Sequence, residues 1–390
     1  MYTDWFKLKK LPFRLRPDPE FLYLAGEIAH AFEALRAAVA SGHGVLVLLG
    51  EAGVGKTTLL HAIAREHQGA MKVARLQQPN LTSAELLDAL AEQCGLPPAT
   101  GAVPGTAGRL ARFVAEETDQ HRPVLVLVDE AHRCTQSALR ELLSLGALQP
   151  APLIVLAGEP ELLATLAALD AQQATAPLIG TLRLPRLSLA QLEGYLGYRL
   201  SVAGSAGRAL FDADTLPEIL RYTGGTPQLI NMLCDSAMSL AETHNSQRSG
   251  LVEIRDAVHE LKWVEFSARA PARPAAATGN NPQLVAARAM LPELDVQQSG
   301  RHVNRLTLKP GRLIIGRAED AGLRLDSQFV SRQHCQIITT ADQSFVEDLG
   351  STNGILVNGR RRRMHRLIPQ DKIVIGDHTL IYLESPLAGK

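Results

Sequence analysis

Along the first 265 or so residues, short unbroken apolar runs alternate with stretches apolar at every third or fourth position. Val45–Leu49, Val73–Leu76, Val124–Val128 and Leu153–Leu156 are the runs. A strand apolar at consecutive positions must be covered on both faces, so the pattern predicts a parallel sheet between helices. Helix starts are marked by capping boxes: Thr82 with Glu85 ahead of "LLDALAEQC", and Ser188 with Gln191 ahead of "LEGYLGYRL". From Leu189 to about Trp263 no strand run interrupts the helical period, which predicts a helical subdomain. Ser267–Gln283, "SARAPARPAAATGNNPQ", has no apolar face to bury and reads as a linker. Beyond it, short strands separated by turns ("RLTLKPGRLIIG", "CQIITT", "SFVEDLG", "GILVNG", "DKIVIGD", "TLIYLES") predict an all-β sandwich of roughly 100 residues. The expected boundaries are 1–188 for the sheet domain, 189–265 for the helical lid, 266–283 for the linker and 284–390 for the sandwich.

Composition narrows the classes. The 390 residues carry 40 Lys+Arg against 40 Asp+Glu, so no net field draws the chain to nucleic acid or to an anionic membrane. Aromatics at 4% are too sparse for base-stacking platforms. Cys94, Cys134, Cys234 and Cys335 are far apart, with no CxxC spacing, as expected of reduced thiols in a cytoplasmic protein. The N-terminus lacks the apolar core of a signal peptide, and the longest apolar runs are strand-length, short of the ~20 residues of a membrane span.

The candidate chemistry begins at Gly50–Thr57, "GEAGVGKT", between the strand run "VLVLL" and the helical "TTLLHAIARE". Strand, glycine loop and helix N-terminus together make a phosphate cradle from backbone N–H groups and helix dipole. Gly50, Glu51, Ala52, Gly53, Val54, Gly55, Lys56, Thr57 and Thr58 are the expected nucleotide contacts. Lys56 would reach the β/γ-phosphates of ATP and Thr57 would ligate Mg²⁺. The run "VLVLVDEAH" ends in Asp129, expected to hold Mg²⁺ through water, and Glu130, placed to orient the attacking water. His132 is expected to be a surface histidine at a helix start. In the β region, Gly316-Arg317, Ser331-x-x-His334, Ser351-Thr352-Asn353-Gly354 and Asn358-Gly359 recur in order. The His334-Cys335 pair in "VSRQHCQI" could be a nucleophile pair, two metal ligands or neither. Metal binding is disfavoured because adjacent strand residues point to opposite faces. Arg360–Arg363 with Arg366 is the one basic cluster, expected to be a solvated hairpin.

Two resemblances follow from these motifs. The N-terminal 260 or so residues resemble the AAA+ ATPases of the general secretion pathway protein A family, through "MYTDWFKLKKLPFRLRPDPEFLYL", "GEAGVGKTTLL", "VLVLVDEAH", "LIVLAGEPEL" and "YTGGTPQLINMLCDSAM". The resemblance implies an α/β P-loop domain with a helical lid, ATP hydrolysis with Mg²⁺, a homo-oligomer formed on ATP, and work in secretion or pilus assembly at the bacterial inner membrane. Three positions depart from the family pattern: Glu159 stands where a polar Gln senses the γ-phosphate, Gln228 where an Arg contacts nucleotide, and Pro177 where an arginine finger is expected. Arginine fingers contribute about 10³–10⁵ in rate, so the departures weigh against turnover more than against binding. Arg183 and Arg186 lie close enough in sequence to substitute.

Residues 284–386 resemble the forkhead-associated (FHA) domain, a phosphothreonine-binding β-sandwich. The resemblance implies a phosphopeptide site of Arg317, Ser331, Arg332, Thr352 and Asn353, with Arg317 forking onto the phosphate and Asn353 bonding the peptide backbone. His334 would then prop the Ser331 loop, and Cys335 would fill the core. The combined expectation is a cytoplasmic ATPase, peripheral at the inner membrane if the secretion resemblance carries over. A Ser/Thr kinase would bring it to a threonine-phosphorylated partner within a secretion complex. Two rivals are a weakly hydrolysing phosphothreonine adaptor and a transposition-type, DNA-associated ATPase. The basic cluster alone gives no footing for nucleic-acid binding.

Overall fold

The computed structural model describes residues 2–76, 81–97, 105–170, 178–268, 291–298, 300–308, 311–318, 321–339 and 344–385. Pro177 and nearly all of the expected linker, beyond Ala268, lie outside the described residues. The chain divides into two units, one running to Val258 with Val264–Ala268 added, the other made of the C-terminal sequence with His259–Trp263.

The N-terminal unit contains a five-stranded parallel sheet: β1 (Gly44–Leu49), β2 (Lys72–Leu76), β3 (Val124–Val128), β4 (Leu153–Gly158) and β5 (Leu178–Arg183), in the order β2-β3-β4-β1-β5. Every residue of β1, β3 and β4 is buried, as their unbroken apolar runs require. Helices α1 (Tyr2–Trp5), α2 (Glu27–Ser41), α3 (Lys56–His67), α4 (Ser83–Gln93), α5 (Thr106–Asp119), α6 (Gln136–Gly146) and α7 (Glu161–Asp170) accompany the sheet. Leu86, Leu90, Leu110, Leu139 and Leu142 from these helices join Val45, Val126 and Ile154 in one core. The Thr82–Glu85 box is present, with the Glu85 carboxylate accepting from Thr82 N at 2.8 Å. The four apolar runs are all strands; β5 is a fifth, half-exposed at the sheet edge, where no such run is needed.

Four helices follow, α8 (Leu189–Val202), α9 (Thr215–Thr223), α10 (Pro227–Thr243) and α11 (Leu251–Glu260), without an intervening strand. The Gln191 carboxamide oxygen accepts from Ser188 N at 2.9 Å, fixing the start of α8. None of the described helices is long and apolar enough to cross a membrane.

The C-terminal unit is a sandwich of two sheets. One has the order β14-β11-β10-β8-β9, the other β13-β12-β15-β16-β6-β7. The strands are β6 (Leu291–Gln298), β7 (Arg301–Thr307), β8 (Gly311–Gly316), β9 (Leu323–Arg324), β10 (Cys335–Thr339), β11 (Ser344–Asp348), β12 (Ile355–Val357), β13 (Arg360–Arg362), β14 (Met364–Leu367), β15 (Lys372–Ile375) and β16 (His378–Ser385). Ile315, Cys335, Ile337 and Val346 of the first sheet share a core with Leu294, Val296, Ile373 and Leu380 of the second. Asn358 and Gly359, at φ of 51° and 78°, make the two-residue left-handed turn between β12 and β13.

The arginine run needs revising from a single solvated hairpin. Arg360–Arg362 forms β13 against β12, while Met364–Leu367 forms β14 against β11 in the other sheet. The run therefore bridges the two sheets, and only its first residues, Arg360 and Arg361, are exposed.

Candidate functional sites

The glycine loop follows β1 directly and ends in α3, whose first residue is Lys56. Gly53 and Gly55 sit at φ of 77° and 108°, a region in which side-chain-bearing residues are strained. Gly53 has a second constraint: a Cβ there would lie 2.6 Å from Gln228 Oε1. The N-terminus of α10 meets the loop at this point, and Gln228 N donates to Gly53 O at 3.1 Å. The residue at the expected sensor-arginine position is thus at the loop, held there by its backbone.

Lys56 is buried, at 4% exposure, and its ammonium donates to Gly50 O at 2.8 Å and Glu51 O at 2.9 Å. An ammonium has three donors; two are accounted for by the loop's own carbonyls, leaving capacity for an anion in the loop. Thr57 Oγ1 donates to Asp129 Oδ2 at 2.6 Å. Two residues 72 positions apart in sequence so present oxygens to one point, a donor set of hydroxyl and carboxylate suited to Mg²⁺. Asp129 is fixed by donation from Glu130 N to its Oδ1 at 3.0 Å and by its own N–H on Leu76 O at the end of β2.

Glu130 occupies the left-handed region at φ 53° and ψ 33°, unusual for a side-chain-bearing residue. Burial first, and then the charge of neighbouring Asp129, hold its pKa above the ordinary carboxylate value. That direction suits a general base.

His132 departs from expectation. It lies on a one-turn 3₁₀ helix, Ala131–Arg133, and its side chain is only 17% exposed. Gly158 at the end of β4 brings it inward: a Cβ there would lie 3.1 Å from His132 N. The imidazole Nε2 is 3.8 Å from Glu130 Oε2 and 3.8 Å from Glu159 Oε1, and Glu159 N donates to Nδ1 at 3.3 Å. The backbone N–H at the sensor position is thus bonded to His132, and the Glu159 carboxylate lies near the same ring, an approach that local sequence does not signal. Arg186 pairs with Glu51 of the glycine loop and stacks on Phe266 with 4.4 Å to the ring centroid; Arg183 ends β5, exposed.

At one end of the sandwich, Gly316 lets two loops touch. A Cβ there would lie 2.1 Å from Arg332 O, so only glycine fits. Arg317 N then donates to Ser331 O at 3.0 Å and Ala318 N to Arg332 O at 3.1 Å. The Arg317 and Arg332 side chains remain exposed. Ser331 Oγ accepts from Thr352 N at 3.2 Å, which ties in the third loop, and Asn353 Nδ2 donates to Phe329 O at 2.9 Å. All five expected phosphopeptide residues thus stand on loops joined by direct hydrogen bonds. Phe329, two residues before Ser331, has an exposed side chain, and its carbonyl accepts the Asn353 bond.

His334 is fully buried. Its Nδ1 accepts from Ser331 N at 3.1 Å, so Nε2 carries the proton and donates to Gly354 O at 3.0 Å. One imidazole braces both the Ser331 loop and the Thr352–Gly354 loop. Cys335 faces the core, where burial pushes its thiol pKa up, leaving it neutral and inert. His334→Ala should orphan the buried Gly354 carbonyl at about 1–3 kcal/mol and the part-buried Ser331 N–H at less. We expect the thermal transition of this unit to fall by roughly 10 °C, read by differential scanning fluorimetry; an unchanged transition would exclude the brace.

Comparison with known proteins agrees with this division. A model of the AAA domain matches residues 39–166, and one of the FHA domain matches residues 313–376. The chain joins an AAA domain to an FHA domain. General secretion pathway protein A of Aeromonas hydrophila is 30% identical over 270 residues, 68% of this chain and 49% of that protein, so the chain spans about half of that relative's length. FHA domain-containing protein FhaA of Mycobacterium tuberculosis is 38% identical over 74 residues, 19% of this chain and 14% of that protein. Among solved structures, an FHA domain studied for phosphothreonine-dependent interactions is 35% identical with a TM-score of 0.23, covering 25% of this chain and 99% of that one. The Aeropyrum pernix ORC2 protein is 19% identical with a TM-score of 0.46, over 63% of this chain and 72% of that one.

Proposed function

We propose that the AAA domain binds and hydrolyses MgATP, while the FHA domain docks the chain to a threonine-phosphorylated protein. Phosphorylation by a Ser/Thr kinase then decides where the ATPase acts. The observation that carries the nucleotide reading is the 2.6 Å contact of Thr57 with Asp129 beside buried Lys56. Lys56 would hold the β/γ-phosphates, and Thr57 with Asp129 would hold Mg²⁺. When bound, the ion offsets charge on the phosphates. Glu130, with its raised pKa, would orient and deprotonate the attacking water.

The phosphopeptide reading draws support from the three loops locked around Ser331, with Arg317 and Arg332 free to face a phosphate. The similarity to general secretion pathway protein A supports a role in secretion-type assembly, at an inner-membrane complex and with oligomerisation on ATP. Glu159 and Gln228 favour a second reading, a slowly hydrolysing nucleotide-dependent adaptor, since neither offers a cation to the γ-phosphate. ATP turnover by the full chain beside Lys56→Ala separates the two. We expect wild type to exceed the variant in a Mg²⁺-dependent manner. Equal rates would refute the enzyme and leave the adaptor.

A further inference from the structure

The Glu130–His132–Glu159 cluster draws on three elements: the end of β3, the 3₁₀ turn and the end of β4. A three-ligand cluster invites a metal ion, but the histidine argues otherwise. Glu159 N–H points at Nδ1 at 3.3 Å, so Nδ1 is the acceptor and the neutral ring carries its proton on Nε2. Nε2 is the very atom that faces both carboxylates, and a protonated nitrogen cannot ligate. At 3.8 Å to each, it lies beyond hydrogen-bond range yet within reach of either carboxylate through a small rotation.

We infer that His132 is a positioning residue for Glu130, with its ring orientation set by Glu159. Glu159 holds the imidazole by one hydrogen bond, its backbone N–H at Nδ1, while its carboxylate lies 3.8 Å from Nε2 and acts on the Nε2–H by charge alone. The Nε2–H then offers Glu130 a single directional partner, which limits where its carboxylate can swing. Glu130 needs such a restraint, because its left-handed backbone aims the side chain from a turn rather than from a strand. Gly158 makes the arrangement possible by letting the histidine backbone lie against β4. Glu159 thereby acts at the water-activating carboxylate through His132, in place of a polar contact to phosphate.

This inference rests on the hydrolysis reading but is tested apart from it. Steady-state kinetics of the full chain are measured for wild type, His132→Ala, His132→Gln, Glu159→Gln and the double variant His132→Ala/Glu159→Gln. Misplacing a reacting group costs about ten- to hundredfold in rate. We expect that loss in kcat for His132→Ala, with KM for MgATP unchanged. His132→Gln, which keeps an N–H near the Nε2 position, should recover most of the rate. Glu159→Gln should slow the wild type but have no further effect once His132 is gone. Additive losses, a KM effect alone, or His132→Gln as slow as His132→Ala would overturn the assignment.

If wild type turns over no faster than Lys56→Ala, the hydrolysis reading fails and histidine ¹H–¹⁵N spectra decide the geometry. The resonance missing from His132→Gln should show the Nε2–H tautomer and move in Glu130→Gln. The Nδ1–H tautomer, or indifference to Glu130→Gln, overturns it. So does one Zn²⁺ retained through gel filtration by wild type and lost from Glu159→Gln.

Discussion

Arg317→Ala should reduce phosphothreonine-peptide affinity about 100-fold or more, with no change in thermal stability. A guanidinium forks onto a phosphate with two charge-assisted hydrogen bonds of about 1.5–3 kcal/mol each, and about 1.4 kcal/mol is tenfold. The stability half follows from position. The Arg317 side chain is exposed, and only its backbone N–H, which alanine retains, holds the Ser331 loop. Fluorescence anisotropy with one peptide, beside a melting curve, checks both. Unchanged affinity would move the anion site elsewhere. Lost affinity with a collapsed melt would make Arg317 structural.

Glu130→Gln should slow ATP hydrolysis by about 10²–10⁴-fold while ATP binding persists. The substitution is nearly isosteric and leaves the loop contacts untouched, because Lys56 is held by Gly50 and Glu51 carbonyls and Thr57 by Asp129. It also removes one of the carboxylates crowded at Asp129, so any change in folding stability should be small and favourable. Single-turnover hydrolysis paired with nucleotide binding reads the two effects separately. Hydrolysis at the wild-type rate would remove Glu130 from the reaction.

The two folds were legible where burial leaves a residue no choice. β1, β3 and β4 are covered on both faces, so their apolar runs stand out. The helical stretch after Leu189 keeps its period because its inner faces pack on one another. The glycine loop was legible because Gly53 and Gly55 are fixed by backbone geometry. Gly316 belongs to the same class, since a neighbouring carbonyl occupies its Cβ position.

Elements at edges escaped the pattern. β5 is exposed or half-exposed throughout, with Gly180 in its middle; β6, an interior strand between β16 and β7, was hidden instead by its composition, since Pro292, Glu293 and Asp295 are residue types depleted in strands. The arginine strands hide for the same reason, since a run of like charges has no two-residue period. His132 and Glu159 are 27 residues apart, and their meeting depends on how closely two strand ends approach at Gly158. Local sequence carries no trace of such an approach. His334 could be understood from its neighbours because its two partners lie on loops whose motifs are themselves distinctive.

The central claim is that this AAA-domain chain reads phosphothreonine. It is tested most directly by anisotropy of the full chain with degenerate peptides fixed at phosphothreonine, phosphoserine or unmodified threonine. The account predicts binding of the phosphothreonine pool, weaker binding of the phosphoserine pool, and loss of both after phosphatase treatment. Equal binding of the phosphorylated and unmodified pools would contradict it.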